Sequence, residues 1–518
     1  MRFNLRRHVP AFRSAAAGLA ALLAAACSPA SIVEVETPDV ITPGAVSTLL
    51  GIDPLRNGVT AELASAYSGS GDGVMLTSGL FADEFFLSDS FQGRIELDTR
   101  LVLETNDRLG PLYRTIHRAR RSSEYTAAQI RRLVANPAAD FRYSEMLSYA
   151  GLSYFMLGEN FCSPQPMAVT QDDGTSLTPI PNISQVEINT IALSKFDSAL
   201  TAASGLAPGA VRTRLENLAR MGRGRALLNL GQFAAAATAV TAVPTTYLEV
   251  STHSLVNSNG IWSLNASGRR YTISDREAAS PAELALSTIP DGVGLNFRSA
   301  NDPRIPYIRP RVSATSPAFV TAFDPAAPLF IMGRFATQTG STPWIYGVEA
   351  RLIEAEAALR SGSEAGYINA LNALRATVAA YPAIPANDPI SGAFTPTSAS
   401  VPLPALVAPT PGVVDREDAQ LLFRERAFWL YASGRRFGDL RRSLRQYNAA
   451  PFNFTEANIF PGGGSRVFFS DVGGGGTITR SARLGASSTY GTQVAWEIPQ
   501  PEDNNPDFDR GACSITTP

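Results

Sequence analysis

Histidine, cysteine and tryptophan are scarce in this chain, with three, three and four copies among 518 residues. His8 lies near the N-terminus, which leaves His117 and His253 for any chemistry that needs an imidazole. No His-Glu-x-x-His helix, paired Cys-x-x-Cys, phosphate-binding loop, EF-hand loop or Gly-x-Ser-x-Gly elbow occurs, so the usual signatures of metal, nucleotide and hydrolase chemistry are missing. Charge is also sparse: 17% of residues are charged and the formal net charge is −2. A mildly acidic chain is not a nucleic-acid binder. Beyond the N-terminal leader, no apolar run approaches the roughly 20 residues that a membrane helix needs.

The N-terminus carries the strongest local signal. Arg2, Arg6 and Arg7 form a basic start, and Ala15 to Ala26 is an apolar run rich in small residues, ending in Leu22-Leu23-Ala24-Ala25-Ala26-Cys27. This order fits a secretory leader of residues 1–26. Cys27, placed as the first mature residue, would be acylated and would anchor the protein to a membrane by lipid. Ala24 stands where Leu is usual three places before that cysteine, and the alternative is an ordinary secretory cut near Ala26. Either way the protein leaves the cytoplasm. Cys162 and Cys513 remain, an even pair in an oxidising compartment; they form one disulfide or stay as two separate thiols.

Pro29, Pro38 and Pro43 make residues 27–45 an extended tether. From there to about 240 the apolar spacing is mainly helical, with segments at 47–67 (broken at Pro54), 107–125, 143–157 and 188–202. Leu215 to Val240 reads as a helix–turn–helix turning at Gly231, of the tetratricopeptide type. A second pair spans Val348 to Ala380, and Asp415 to Tyr447 is a helix or helix pair. Residues 245–345, 382–414 and 450–518 are rich in Pro, Gly, Ser and Asn and read as loops with short strands, including a hairpin near the glycine runs at 462–476. The fold class is mainly α: tetratricopeptide-like helical pairs with long irregular loops, in one domain over 46–518.

Chemistry is hard to place on this frame. His117 sits among Arg114, Arg118, Arg120 and Arg121 and reads as a helix-face side chain; His253 has no obvious partner. Asp83 with Glu84, or Glu354 with Glu356, are carboxylate pairs of the kind a glycosidase would need. Glu354 and Glu356 are two apart on a helix and so face different ways. Arg435, Arg436, Arg441 and Arg442 surround Asp439 at ion-pair spacing. Aromatics in the loop segments are better candidates, because flat rings stack on sugars and peptide side chains. Trp262, Tyr271 and Trp344 form one expected contact set, and Phe91 with Arg94 a second. Arg269, Asn296 and Arg298 are nearby hydrogen-bonding groups.

Four segments together resemble the SusD/RagB family of surface lipoproteins. They are Cys27 followed by Val35-Glu-Thr-Pro-Asp-Val40; Arg351-Leu-Ile-Glu-Ala-Glu-Ala357 leading to Leu371-Asn-Ala-Leu-Arg375; Glu425-Arg426 through Gly434-Arg-Arg-Phe-Gly-Asp-Leu-Arg-Arg442; and Glu497-Ile-Pro-Gln-Pro-Glu502 with Asn505-Pro506. Asn301-Asp-Pro-Arg304 fits a further short signature. Trp429 and Ser433 stand where the family usually has Glu, and the end of the chain, with Cys513, departs from its pattern. The resemblance implies a non-enzymatic protein of the cell outer membrane, facing the exterior. It implies capture of glycans or other oligomeric nutrients, peptides included, and delivery to a TonB-dependent (SusC-like) transporter, with no cofactor. A surface glycoside hydrolase and a non-binding tetratricopeptide-type scaffold are the alternatives.

Overall fold

The computed structural model describes residues 48–518 except 70, 172–175, 280–282, 284, 285, 287, 314, 315, 317, 378–402, 463–466, 470–476, 480–489 and 507. The chain divides into two units, Met1–Gly51 and Ile52–Pro518. In the first, the described residues form one 3-10 turn, Leu49–Gly51. The leader, Cys27 and the tether at 27–45 lie outside the described residues.

The second unit is mainly helical. Its helices are α1 (Ile52–Ser68), α2 (Val74–Phe81), α3 (Gln92–Thr99), α4 (Leu109–Leu133), α5 (Phe141–Asn160), α6 (Gln185–Ser204), α7 (Ala210–Asn229), α8 (Phe233–Val240), α9 (Val348–Arg360), α10 (Glu364–Arg375), α11 (Arg416–Trp429), α12 (Arg436–Gln446) and α13 (Glu456–Ile459). From α4 to α10 each helix packs on the next, as in a tetratricopeptide stack. Local chemistry sets the helix ends. Ser184 and Glu187 close a capping box at α6, and Asp415 with Asp418 does the same at α11. Gly231 and Gly362 adopt positive φ in the turns between paired helices. Pro54 does not break α1, contrary to the sequence reading. It sits in the first turn, where a missing N–H costs no helical hydrogen bond.

Close helix packing depends on two missing side chains. Phe196 of α6 is fully buried and lies between Gly151 of α5 and Gly222 of α7. A Cβ at Gly222 would come 2.1 Å from the Phe196 ring, and one at Gly151 would come 2.6 Å from it.

Strands are short and paired in twos, all antiparallel. β1 (Phe85–Leu87) pairs with β5 (Tyr271–Ile273), β2 (Gln165–Thr170) with β3 (Leu177–Ile183), and β4 (Leu248–Ser251) with β8 (Thr342–Tyr346). β6 (Tyr307–Ile308) pairs with β7 (Ile331–Met332), and β9 (Val467–Phe469) with β10 (Thr477–Thr479). The β2–β3 hairpin lies between two of the expected helical segments, in a stretch read as mainly helical up to about 240. Pro164, Pro166, Pro179 and Pro181 bar helix there, and Met167, Val169 and Ile180 favour a pleated edge. Beside it, Cys162 is disulfide-bonded to Cys513, with Cα atoms 5.3 Å apart. That bond fastens the end of α5 to the C-terminal segment.

Ion pairs that usually lie in water are buried here. Arg426 of α11 donates to both carboxylate oxygens of Asp439 on α12, at 2.9 and 3.0 Å. Arg442 donates to Asp439 at 2.9 Å and to Glu356 of α9 at 2.9 Å. The Tyr447 hydroxyl donates to Glu356 at 2.9 Å. Arg441 instead caps the carbonyl of Phe161 at 2.9 Å, beyond the end of α5; burial and then the Arg445 charge push its pKa down to about 9. Arg435 makes no bond to Asp439 and turns to Glu349, 3.4 Å away. Asp83 and Glu84 are buried as well. Asp83 pairs with Arg436 at 3.2 Å, and Glu84 accepts the Ala432 N–H at 3.1 Å. Burial raises the Glu84 pKa to about 8.

Gly222→Ala should destabilise the protein by about 1–3 kcal/mol through overpacking on Phe196. Gly58→Ala, on a helix face with nothing within 4 Å of the new Cβ, should stabilise it by up to about 1 kcal/mol. Urea denaturation of both variants checks the opposite signs. For Glu84 the folded pKa of about 8 lies above the ordinary 4.5. The protonated carboxyl therefore favours folding below 4.5, and that contribution is lost as pH rises through 8. Unfolding free energies across this window should show wild type losing stability relative to Glu84→Gln. A pH-independent difference contradicts the assignment.

Candidate ligand-binding site

The β1–β5 pair brings two loops together. Leu87, at the end of β1, lies opposite Tyr271, at the start of β5. The chain leaving β1 (Ser88 to Phe91) therefore runs beside the chain entering β5 (Gly268 to Arg270). Backbone bonds fix the arrangement: Ser88 N–H donates to Arg270 O at 2.7 Å, and Phe323 N–H to Arg269 O at 2.8 Å. Asp324 N–H donates to the Ser88 hydroxyl at 2.6 Å. Three segments remote in sequence are thus stapled at one edge.

Two phenylalanines project from this edge. Phe91 is 44% exposed and Phe323 46%. The Arg270 guanidinium lies between them, 5.0 Å from the Phe91 ring centre and 4.4 Å from that of Phe323. Arg94 and Arg108 also approach the Phe91 ring, at 5.3 and 5.1 Å. Cation–π attraction holds such a stack in place. Two buried carboxylates orient the arginines. Asp89 accepts from Arg94 at 2.5 Å and also pairs with Arg270. Asp72 accepts from Arg94 at 3.0 and 2.9 Å and lies 3.5 Å from Arg108. Arg108 also donates to Asp107 at 2.8 Å, so three cations meet three carboxylates beside two half-exposed rings. Ring faces can stack on apolar C–H surfaces, while unused guanidinium N–H groups can donate to hydroxyl or carboxylate oxygens.

Phe91, Arg94 and Tyr271 from the sequence analysis meet here. Arg94 itself is buried, and its position behind Phe91 makes it a support rather than a surface. Tyr271 is 0% exposed and forms the floor, with Arg94 5.9 Å from its ring centre. Burial pushes its hydroxyl pKa well above the usual value. Trp344 is 2% exposed, packs edge-on against Tyr149 at 5.3 Å, and lines a small internal cavity with Tyr67 and Arg435. Trp262 is half-buried against the core, on the helical turn Trp262–Ser267 that leads to Arg270. Tyr271 and Trp344 thus present no ring face to solvent. A loop aromatic in this fold is as often the inner cover of the helices as an outer platform.

Arg270 and Phe323 were not singled out from sequence. Arg270 carried a readable sign: in extended chain it must point opposite to buried Tyr271. Phe323 carried none, because its place depends on loop closure across some fifty residues of irregular chain. The other candidates are held in structural roles. His117 is half-buried with its Nε2 enclosed, and desolvation followed by the Arg120 charge drives its pKa well down. His253 does have partners: its Nε2 lies 3.1 Å from the Ser68 hydroxyl and 3.0 Å from that of Thr342. Glu354 pairs with Arg351 at 3.0 Å, and Glu356 belongs to the Arg442 network. Among the described residues, no group of three or more His, Cys, Asp or Glu is placed to hold a metal ion.

No protein-family model and no curated protein matches this chain. Solved structures do. A SusD-like carbohydrate-binding protein from Bacteroides fragilis NCTC 9343 is 15% identical and superposes with a TM-score of 0.57, covering 89% of this chain and 98% of its own. A SusD-like carbohydrate-binding protein from Bacteroides vulgatus ATCC 8482 gives 14% and 0.55, covering 90% and 98%. A SusD/RagB family protein from Bacteroides thetaiotaomicron VPI-5482 gives 15% and 0.53, covering 77% and 89%. At such low identity it is the architecture that is shared: helical pairs carrying long loops and few short strands, which is the SusD-like fold.

Proposed function

We propose that this protein is a surface-exposed, lipid-anchored nutrient-binding protein that captures glycans and delivers them to a TonB-dependent outer-membrane transporter. The observation that carries the reading is the open Phe91–Arg270–Phe323 stack, presented at a loop edge of a SusD-like fold. Solved proteins of this fold include ones described as carbohydrate-binding. The physical roles are separable. Phe91 and Phe323 supply apolar faces for sugar C–H groups, and Arg270 and Arg108 donate hydrogen bonds to hydroxyls. Asp72 and Asp89 preset the guanidiniums, so less ordering cost falls on binding.

On this reading the protein binds without cutting. The acyl chain on Cys27 is the anchor of the mature protein. One acyl chain alone holds a membrane only weakly, so firm attachment comes from multiple acylation. Among the described residues no helix is long and apolar enough to cross a membrane. The transporter would lie beneath the bound ligand, so that a captured oligosaccharide is shielded from diffusing away.

Affinity purification of the acylated protein from detergent-solubilised outer membranes tests the partner. The expected result is co-purification of a TonB-dependent barrel in near-equal amount; absence of a barrel with lipidation intact contradicts the hand-off. The double variant Phe91→Ala, Phe323→Ala should weaken oligosaccharide binding by about tenfold or more in calorimetry, from two lost stacking contacts of about 1 kcal/mol each. Unchanged affinity removes the surface from the account.

A further inference from the structure

A second recess shares no residue with the Phe91 surface. It lies between the segment around Asp291–Asn296 and the outer face of α11, and its volume is about 550 Å³. That is within the range of small-molecule sites, roughly 300–1,000 Å³. Leu421, Phe454 and Ile459 give it an apolar side, and Asn296, Gln420 and Arg424 a polar one.

One guanidinium at its wall, that of Arg424, forms no ion pair with a described residue. Asp291 and Glu417 line the recess, and Glu425 and Asp302 lie behind its wall, where other arginines take both. Arg304 donates to Glu425 at 2.6 Å and to Asp302 at 2.7 Å. Arg375 donates to the second oxygen of Glu425 at 2.6 Å. Asp291, inside the recess, is occupied by Arg416 and accepts from Gln420 at 3.2 Å. Arg424 is left over. Among the described residues its one hydrogen bond is a long one, 3.4 Å to the Asn296 side-chain oxygen, and its guanidinium lies 5.5 Å from the Phe428 ring centre. It keeps access to solvent within the recess. Burial depresses its pKa; the Glu425 charge opposes that shift and the Arg304 charge reinforces it. A guanidinium that forms no ion pair with a described residue and lines a cavity is a place where an anion binds favourably.

We propose that this recess is a separate binding site for a small carboxylate-bearing ligand, its carboxylate paired with Arg424 and its body resting on Leu421, Phe454 and Ile459. Gln420 and Asn296 supply amide groups on either side. The proposal does not depend on the transporter reading. Two sources carry the same chemistry, a uronic acid unit and the C-terminus of a short peptide.

Calorimetry on the full chain separates them. The probes are digalacturonate against its dimethyl ester, and trialanine against trialanine amide. In at least one pair the free acid should bind about tenfold or more tightly than its neutral partner, as expected for a hydrogen bond to a charged group; the pair that shows it names the source. Arg424→Gln should abolish the preference and Arg424→Lys retain part of it, with thermal melting confirming that both variants fold. Equal or absent binding of acid and neutral forms overturns the site, and needs no variant. An acid preference that survives Arg424→Gln overturns the role of Arg424.

Discussion

Burying arginine is the constraint on which this structure turns. The Arg426–Asp439–Arg442–Glu356 network joins α9, α11 and α12 inside the protein, where stranding one charge costs about 3–5 kcal/mol. Such a network tolerates little sliding, because each guanidinium fork fits its carboxylates in one geometry. The same helix α12 then reaches outward. Arg436 donates to the Ala82 carbonyl at 2.8 Å and to Asp83, and the Ala432 N–H before it holds Glu84. Ala82 to Glu84 lead directly into β1, and β1 positions β5. Through that chain of contacts the buried charges set the edge at which Phe91, Arg270 and Phe323 meet.

The same chemistry is used twice, with different outcomes. In the interior, arginines and carboxylates close on one another and tie helices together. At the loop edge the arginines are held from behind by Asp72 and Asp89 while their outer sides lie against aromatic rings. Exposed phenylalanine is costly to leave in water, and a stack rigidified by cations is a ready platform for a partly apolar ligand. Arg424 is the third case, a cation that the surrounding carboxylates do not reach.

The helical frame was legible because its signals are local. Gly231, the Ser361-Gly362-Ser363 turn and the apolar spacing of 348–375 each state their structure within a few residues, and the arginine-rich 434–442 segment announces ion pairs. That those pairs are buried was not legible, since charged helices usually face water. The prolines at 164, 166, 179 and 181 did mark the missed hairpin and outweigh the helical context around them. The site was half readable. Phe91 and Arg94 stand out as an aromatic and a cation at helical spacing. Tyr271 and Trp344 mislead, because composition alone does not distinguish a ring that covers the core from one that faces out. Phe323 depends on closure of a long loop, which no local pattern encodes.

Hydrogen exchange measured by mass spectrometry, on the full chain with and without a bound oligosaccharide, tests most directly where the ligand sits. The account predicts protection concentrated in 88–94, 268–271 and 323–324, with the α5–α7 stack unchanged. Protection elsewhere with none in these three segments would contradict it.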